Sequence, residues 1–250
     1  MIEQTQLIEQ LLDEIERNQD LLSRRRPLGS REVLQALDIE YTYESNRIEG
    51  NTLTLRETSL IIEKGLTVAG KSLREHLEAK NHFEAVAFVR SLVAEKRPLS
   101  ESLLKQIHAL VLSGIDRENA GVYRSVPVLI SGSRHEPPQP WLVPKLMEDL
   151  FLWLNAEGRG LHPVVRAAEM HERIATIHPF VDGNGRTSRL AMNLSLLGDG
   201  YPIANLSGET AARLEYYDAL ERCNLEGDKG PFHRLIAQKV LEYQRRLLAL

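Results

Sequence analysis

Between His178 and Arg189 the chain reads HPFVDGNGRTSR, which puts an imidazole, a carboxylate, two glycines around an asparagine and two arginines into one short run. Residues of these types at this spacing suit the binding of a metal-bound polyphosphate with a proton acceptor beside it. Gly183 and Gly185 permit positive φ and let backbone N–H groups approach an anion, with Asn184 between them. A helix starting near Arg186 turns its positive N-terminal end toward the same anion. Arg186 and Arg189 lie three apart and so project from one helix face. Asp182 offers a hard carboxylate oxygen that could hold Mg²⁺ against phosphate oxygens. His178 is the group in this segment that takes a proton near neutral pH without a large pKa shift.

The elements that must position these side chains are helices. Ile8, Leu11, Leu12, Ile15 and Leu22 recur at helical spacing before a Pro27-Leu28-Gly29 break, which predicts an amphipathic N-terminal extension over residues 1–29. Its acidic polar side suits a packing face better than a membrane surface. From Ser30, a predicted N-cap, Leu34, Leu37, Tyr41, Ser45 and Ile48 continue one helical face to a stop at Gly50. This puts Glu49 at a helix C-terminus, where the dipole disfavours a carboxylate by up to about 1 kcal/mol, so a cationic partner elsewhere is expected. Thr54 with Glu57 and Ser72 with Glu75 form capping-box patterns, each opening a helix. Another helix follows from Ser100 to Gly114. Val126 to Ile130 is apolar and β-branched, and with the Ser131–Ser133 turn it predicts one small hairpin over 126–138. Helices near 142–157, 163–178, 186–198, 209–223 and 231–249 complete an all-α domain over 30–250 with a single β-hairpin.

A formal net charge of −4 argues against broad nucleic-acid or anionic-membrane binding. Cys223 is the single cysteine, which excludes an intrachain disulfide and a thiolate zinc cluster and fits a reducing, cytoplasmic compartment. The N-terminus is acidic and periodic, unlike a signal or transit peptide, and no stretch is long and apolar enough to span a bilayer.

The run HPFVDGNGRTSR resembles the defining motif of Fic-domain proteins, HPFx[DE]GNGRxxR, with every specified position filled. SNRIEGN, Ser45 to Asn51, is similar to the inhibitory-helix motif [ST]xxxE[GN] of members that carry their own inhibitor, and IEGNTLTLRET and GKSLREH resemble the same subgroup. The resemblance runs from about Ser30 to the C-terminus. It implies a Fic fold and transfer of AMP from Mg-ATP to a Ser, Thr or Tyr hydroxyl of a protein target or of the chain itself. On the positions that match, it implies that His178 is the general base and that Asp182 holds Mg²⁺. Gly183, Asn184 and Gly185 become the anion hole, Arg186 a β-phosphate ligand and Arg189 a γ-phosphate ligand. Relatives that act as kinases have an altered glycine turn, whereas here it is intact. Glu49, with Ser45 in the same motif, is implied to occupy Arg189 and suppress transfer, and in some relatives the inhibitory glutamate also serves AMP removal.

Tyr216, Tyr217 and Asn224 fall where relatives line an adenosine pocket, although tyrosines at helical spacing equally suit core packing. The 126–138 hairpin matches the family's flap, whose edge registers a target peptide by strand addition. His135 stands near the flap tip, as an exposed loop residue or one within reach of nucleotide or target. His171, one heptad before His178, suits packing, and no third ligand completes a metal pair. A homodimer is compatible with the family. Two other readings are a nucleotide- or partner-binding regulatory module on the same fold without turnover, and a transferase using UTP, GTP or a CDP-alcohol. The presence of His178 distinguishes the first of these from an enzyme, because a pure binding module needs no base beside the phosphates.

Overall fold

The computed structural model describes residues 2–25 and 30–250, with side chains from residue 6 onward. The Pro27-Leu28-Gly29 break lies outside the described residues. The described chain forms ten α-helices: α1 (Ile2–Arg24), α2 (Arg31–Ile48), α3 (Leu55–Lys64), α4 (Leu73–Ala94), α5 (Glu101–Val111), α6 (Val143–Asn155), α7 (Pro163–Ile177), α8 (Asn184–Gly198), α9 (Thr210–Glu226) and α10 (Gly230–Leu248). The helix starts follow local chemistry. Ser30 accepts from the Val33 N–H, and Thr54 and Ser72 each close a reciprocal capping box with Glu57 and Glu75.

At the centre lies α8, buried on nearly every side, as expected of a helix whose polar residues are committed to internal partners. Its Leu190, Ala191 and Leu194 enter a core shared with α4, α5, α6 and α7. Its Met192 and Leu196 enter a second core with Val164, Ala168, Tyr216, Phe232 and Ile236. Held by both, the start of α8 has a fixed position. The stripe on α1 packs within the chain: Ile15 is fully buried in the second core, and Glu14 pairs with Arg245 of α10 at 2.7 Å. No helix among the described residues is long and apolar enough to cross a membrane.

The expected β-hairpin is absent. Residues 126–138 run out and back without regular structure around a turn closed by Ser133 N–H to Ile130 O at 3.1 Å, and no strand occurs among the described residues. The reason is the proline content. Pro127 falls inside the apolar run and Pro137 and Pro138 inside the return arm, each removing a ladder donor. The segment keeps the expected turn but not the expected hydrogen-bonding pattern.

Candidate active site

His178 terminates α7 in the left-handed region, with φ 50° and ψ 59°. For a residue with a Cβ that conformation costs about 1–2 kcal/mol, so surrounding contacts must hold it. Its imidazole Nδ1 faces the Ala175 carbonyl at 3.3 Å. A carbonyl only accepts, so the proton resides on Nδ1 and the Nε2 lone pair is left as the acceptor. Burial pushes the His178 pKa below its ordinary value, and the Ala175 hydrogen bond only partly opposes this. The ring is therefore neutral at neutral pH.

Phe180 is fully buried and lies flat on His108 of α5, with centroids 3.6 Å apart. His108 accepts from the Gly121 N–H through Nδ1 and so donates from Nε2 to the Asp182 carbonyl at 2.9 Å. The Asn184 side chain brackets Phe180 on the other side, accepting from its N–H and donating to its carbonyl, both at 2.9 Å. Asn184 thus locks the turn with its side chain.

The two glycines differ. Gly183 has φ 75° and opens α8 without a side-chain cap, which leaves first-turn N–H groups available to an anion. Gly185 lies inside the helix, which begins at Asn184, two residues earlier than the sequence pattern indicated, and needs no positive φ. A Cβ there would collide with the Glu49 carboxylate and press on Arg189 Nη1. Gly185 is small to admit those side chains.

Asp182 is ionised: burial raises its pKa, but Arg186, the Gly183 N–H and Arg74 together outweigh it and hold the pKa below the ordinary value. Its Oδ2 pairs with Arg74 Nη2 at 2.5 Å, and its Oδ1 accepts from Gly183 N–H at 2.6 Å and lies 3.4 Å from Arg186 Nη2. Arg186 is nearly sealed and has Glu78 within 3.3 Å of Nη1, yet its Nε and Nη1 make no hydrogen bond. Among the described residues no three His, Cys, Asp or Glu side chains gather at one point. A single partly exposed carboxylate fits Mg²⁺ of the kind that completes its shell with phosphate oxygens and water.

Arg189 is 1 % exposed and faces α2. It donates from Nε to Ser45 Oγ at 3.0 Å, and from Nη2 to Ser45 O at 2.9 Å and to Glu49 Oε1 at 2.6 Å. Here is the cationic partner that Glu49 required at its helix end. Burial lowers the Arg189 pKa, but the adjoining Glu49 charge more than reverses this, so its charge is secure.

The three residues expected at an adenosine pocket all lie on α9, with the Tyr216 and Tyr217 rings 5.4 Å apart, and each has a different hydrogen-bond partner. Tyr216 is buried, its hydroxyl 2.9 Å from His171 Nε2 and its ring tilted against Phe232. Tyr217 is 42 % exposed and donates its hydroxyl to the Ile48 carbonyl at 3.0 Å, which ties α9 to the end of α2. Asn224 bonds Thr176 Oγ1 on α7. His135 is half-buried, its Nε2 donating to the Thr176 carbonyl at 2.9 Å.

Sequence reasoning missed four residues of this site: Arg74, Glu78, His108 and Arg124. Arg74 and Glu78 are an i,i+4 pair on α4, a legible surface signal with no hint of its target. Arg124 precedes the flap, is 3 % exposed, and donates to four carbonyls: His178 at 2.8 Å, Ile177 at 3.4 Å, Val126 at 3.2 Å and Pro138 at 2.5 Å.

Fold and site together define a class: an all-helical protein whose central helix opens on a glycine turn with no side-chain cap, flanked by a neutral imidazole and two buried arginines. Residues 98–196 match the Fic/DOC family. The chain is 38% identical over 241 residues to protein adenylyltransferase Fic of Nematostella vectensis, covering 93% of this chain and 54% of that protein. Its structure is similar to that of Fic-1 from C. elegans, with a TM-score of 0.86 and 31% identity over 98% of this chain and 73% of that one. It is also similar to a Fic domain containing signaling protein from Bacteroides thetaiotaomicron, with a TM-score of 0.83 and 29% identity over 97% and 95% of the two chains. The chain belongs to the Fic/DOC family, and it spans about half the length of the curated relatives it matches.

Proposed function

We propose that this chain is a self-inhibited protein adenylyltransferase, moving AMP from ATP to a hydroxyl of a protein target. The observation that carries the reading is the complete constellation at the start of α8: a neutral His178 with Nε2 free, an uncapped helix N-terminus, and Arg186 and Arg189 on one face. Relatives named protein adenylyltransferase support it.

In this reading His178 Nε2 takes the proton of the target hydroxyl as its oxygen attacks the α-phosphorus. The bond to the β-phosphate bridging oxygen breaks and pyrophosphate leaves. Backbone N–H groups after Gly183 and the Arg186 guanidinium stabilise the charge that develops on the phosphates. Asp182 would hold Mg²⁺, which when bound supplies further charge neutralisation at the phosphates. The target docks on the 126–138 segment, whose arms have main-chain groups not spent on a ladder.

Regulation rests on one contact. While Glu49 occupies Arg189, that guanidinium is withheld from the γ-phosphate and ATP lies badly oriented for in-line attack. Orientation governs on the order of 7–11 kcal/mol in well-aligned cases, so loss of one clamp suffices to suppress turnover. The same carboxylate, about one third exposed, would orient water for removal of AMP from a modified target.

The test is incubation of wild-type, Glu49→Gly and Glu49→Gly/His178→Ala proteins with α-labelled or γ-labelled ATP and Mg²⁺. The expected result is α-label on protein, increased by the first substitution and lost in the double variant. Transfer of γ-label would overturn the AMP assignment, and nucleotide binding without any label would favour a regulatory binding module.

A further inference from the structure

The flap has no ladder, so something else must hold its arms. The Arg124 guanidinium bonds Val126 O in the outgoing arm and Pro138 O in the return arm. The same group bonds Ile177 O and His178 O, and the Arg124 N–H donates to Pro179 O at 2.9 Å. The left-handed turn at His178 directs its carbonyl out of the α7 ladder, and Arg124 Nε supplies the partner that this carbonyl would otherwise lack. Burial depresses the Arg124 pKa and no charged partner offsets it, so the guanidinium is held by carbonyl dipoles alone. A planar fork with several fixed donors can serve four carbonyls at once, whereas an ammonium cannot hold them in one plane.

We propose that Arg124 is a positioning residue for transfer, fixing both flap arms and the strained His178 backbone to one rigid plane so that a hydroxyl carried on the flap arrives opposite His178 Nε2. This rests on the transferase reading above. Arg124 faces no phosphate-binding group, so it acts on the alignment of acceptor and base and leaves nucleotide binding alone. A misplacement of about 1 Å can cost on the order of a hundredfold in rate, which sets the size of the effect.

The test places Arg124→Lys and Arg124→Gln in the Glu49→Gly background and follows self-labelling by α-labelled ATP across ATP concentrations. Amide exchange over residues 126–138, thermal midpoint, and affinity for a non-cleavable ATP analogue with Mg²⁺ are measured on the same proteins. The expected result is unchanged analogue affinity and half-saturating ATP, faster flap exchange, and a maximal labelling rate lower by on the order of ten- to a hundredfold, with Lys retaining more than Gln. An unchanged maximal rate despite faster flap exchange overturns the proposal. So does a parallel fall in analogue affinity and rate, or unfolding of both variants, since each would make Arg124 a structural residue only. Absence of label in Glu49→Gly itself overturns the transferase reading and this role with it, whereas label in Glu49→Gly that both Arg124 variants fully retain overturns this role alone.

Discussion

Arg186 and Arg189 leave the same face of α8, yet the two halves of the phosphate cradle are built differently. The inner half is sealed: Arg189 is buried and bonded three times to α2, through Ser45 twice and Glu49 once. The outer half is loose: Arg186 keeps Nε and Nη1 without hydrogen bonds, and Asp182 is shared with Arg74, which is more than half exposed. Both guanidinium groups are buried, so the difference lies in their partners: Arg189 is committed to α2 and its C-cap Glu49, whereas Arg186 keeps most of its donors unspent. In the proposed reading, inhibition acts on the committed arginine.

The largest effect that separates the halves from the chemistry itself is at the base. In the Glu49→Gly background, His178→Ala lowers α-label transfer by on the order of 10²–10⁴, measured as initial rate at saturating ATP. In the same background, Arg189→Ala costs about 10² in rate, as for loss of one preorganised donor, and a normal rate in that variant would remove the inner half from the mechanism. Glu49→Gly alone leaves a buried cation without its partner and should destabilise the fold by about 3 kcal/mol in chemical denaturation. Added Mg-ATP should recover part of that loss, because its γ-phosphate takes the vacated place; no recovery would break the comparison.

A smaller effect is pH-dependent and touches both halves. His108, beneath the outer half, is pushed by burial down to about 4, and His171, beneath the inner half, down to about 3, from an ordinary value of 6.5. Both are neutral when folded, so the unfolded chain binds more protons below pH 6.5. Stability is therefore complete above that value and falls as pH drops toward 4 for His108 and toward 3 for His171. Each contributes up to about 1.4 kcal/mol per pH unit, seen as a falling denaturation midpoint. The rate has a related signature. Glu49 raises the His178 pKa, so Glu49→Gly should lower it further and extend the active plateau to more acid pH than in the wild type. The smallest effect is at Arg74: because its pair with Asp182 is solvent-exposed, Arg74→Ala should change stability by about 0.5 kcal/mol at most, and it should lower the Mg²⁺ concentration needed for labelling.

Much of the site was legible in the chain because its parts are close in sequence. His178, Asp182, Gly183 and both arginines were identified by spacing alone, and the helix starts at Ser30, Thr54, Ser72 and Ser100 by capping chemistry that acts within one turn. The flap was misread because β-branched content at Val126 to Ile130 outweighed Pro127, one residue whose missing N–H decides against a ladder. Gly185 was credited with backbone freedom, whereas its reason is steric and comes from Glu49 on another helix. Tyr217, at helical spacing on α9, bonds the Ile48 carbonyl through its hydroxyl, a partner that its spacing does not indicate. For Gly185 and Tyr217 the deciding partner is remote in the chain.

The sequence by itself determined which chemistry is available and which helices carry it, because residue type, local spacing and capping are one-turn properties. Only the tertiary structure decided which groups are free to act. It sealed Arg189 behind α2, left Nε2 of His178 open by giving Nδ1 a carbonyl, and hung the flap on Arg124 in place of a ladder. Hydrogen-bond partners and burial arise from segments brought together by two shared cores around α8, and no local pattern encodes which atoms will meet there.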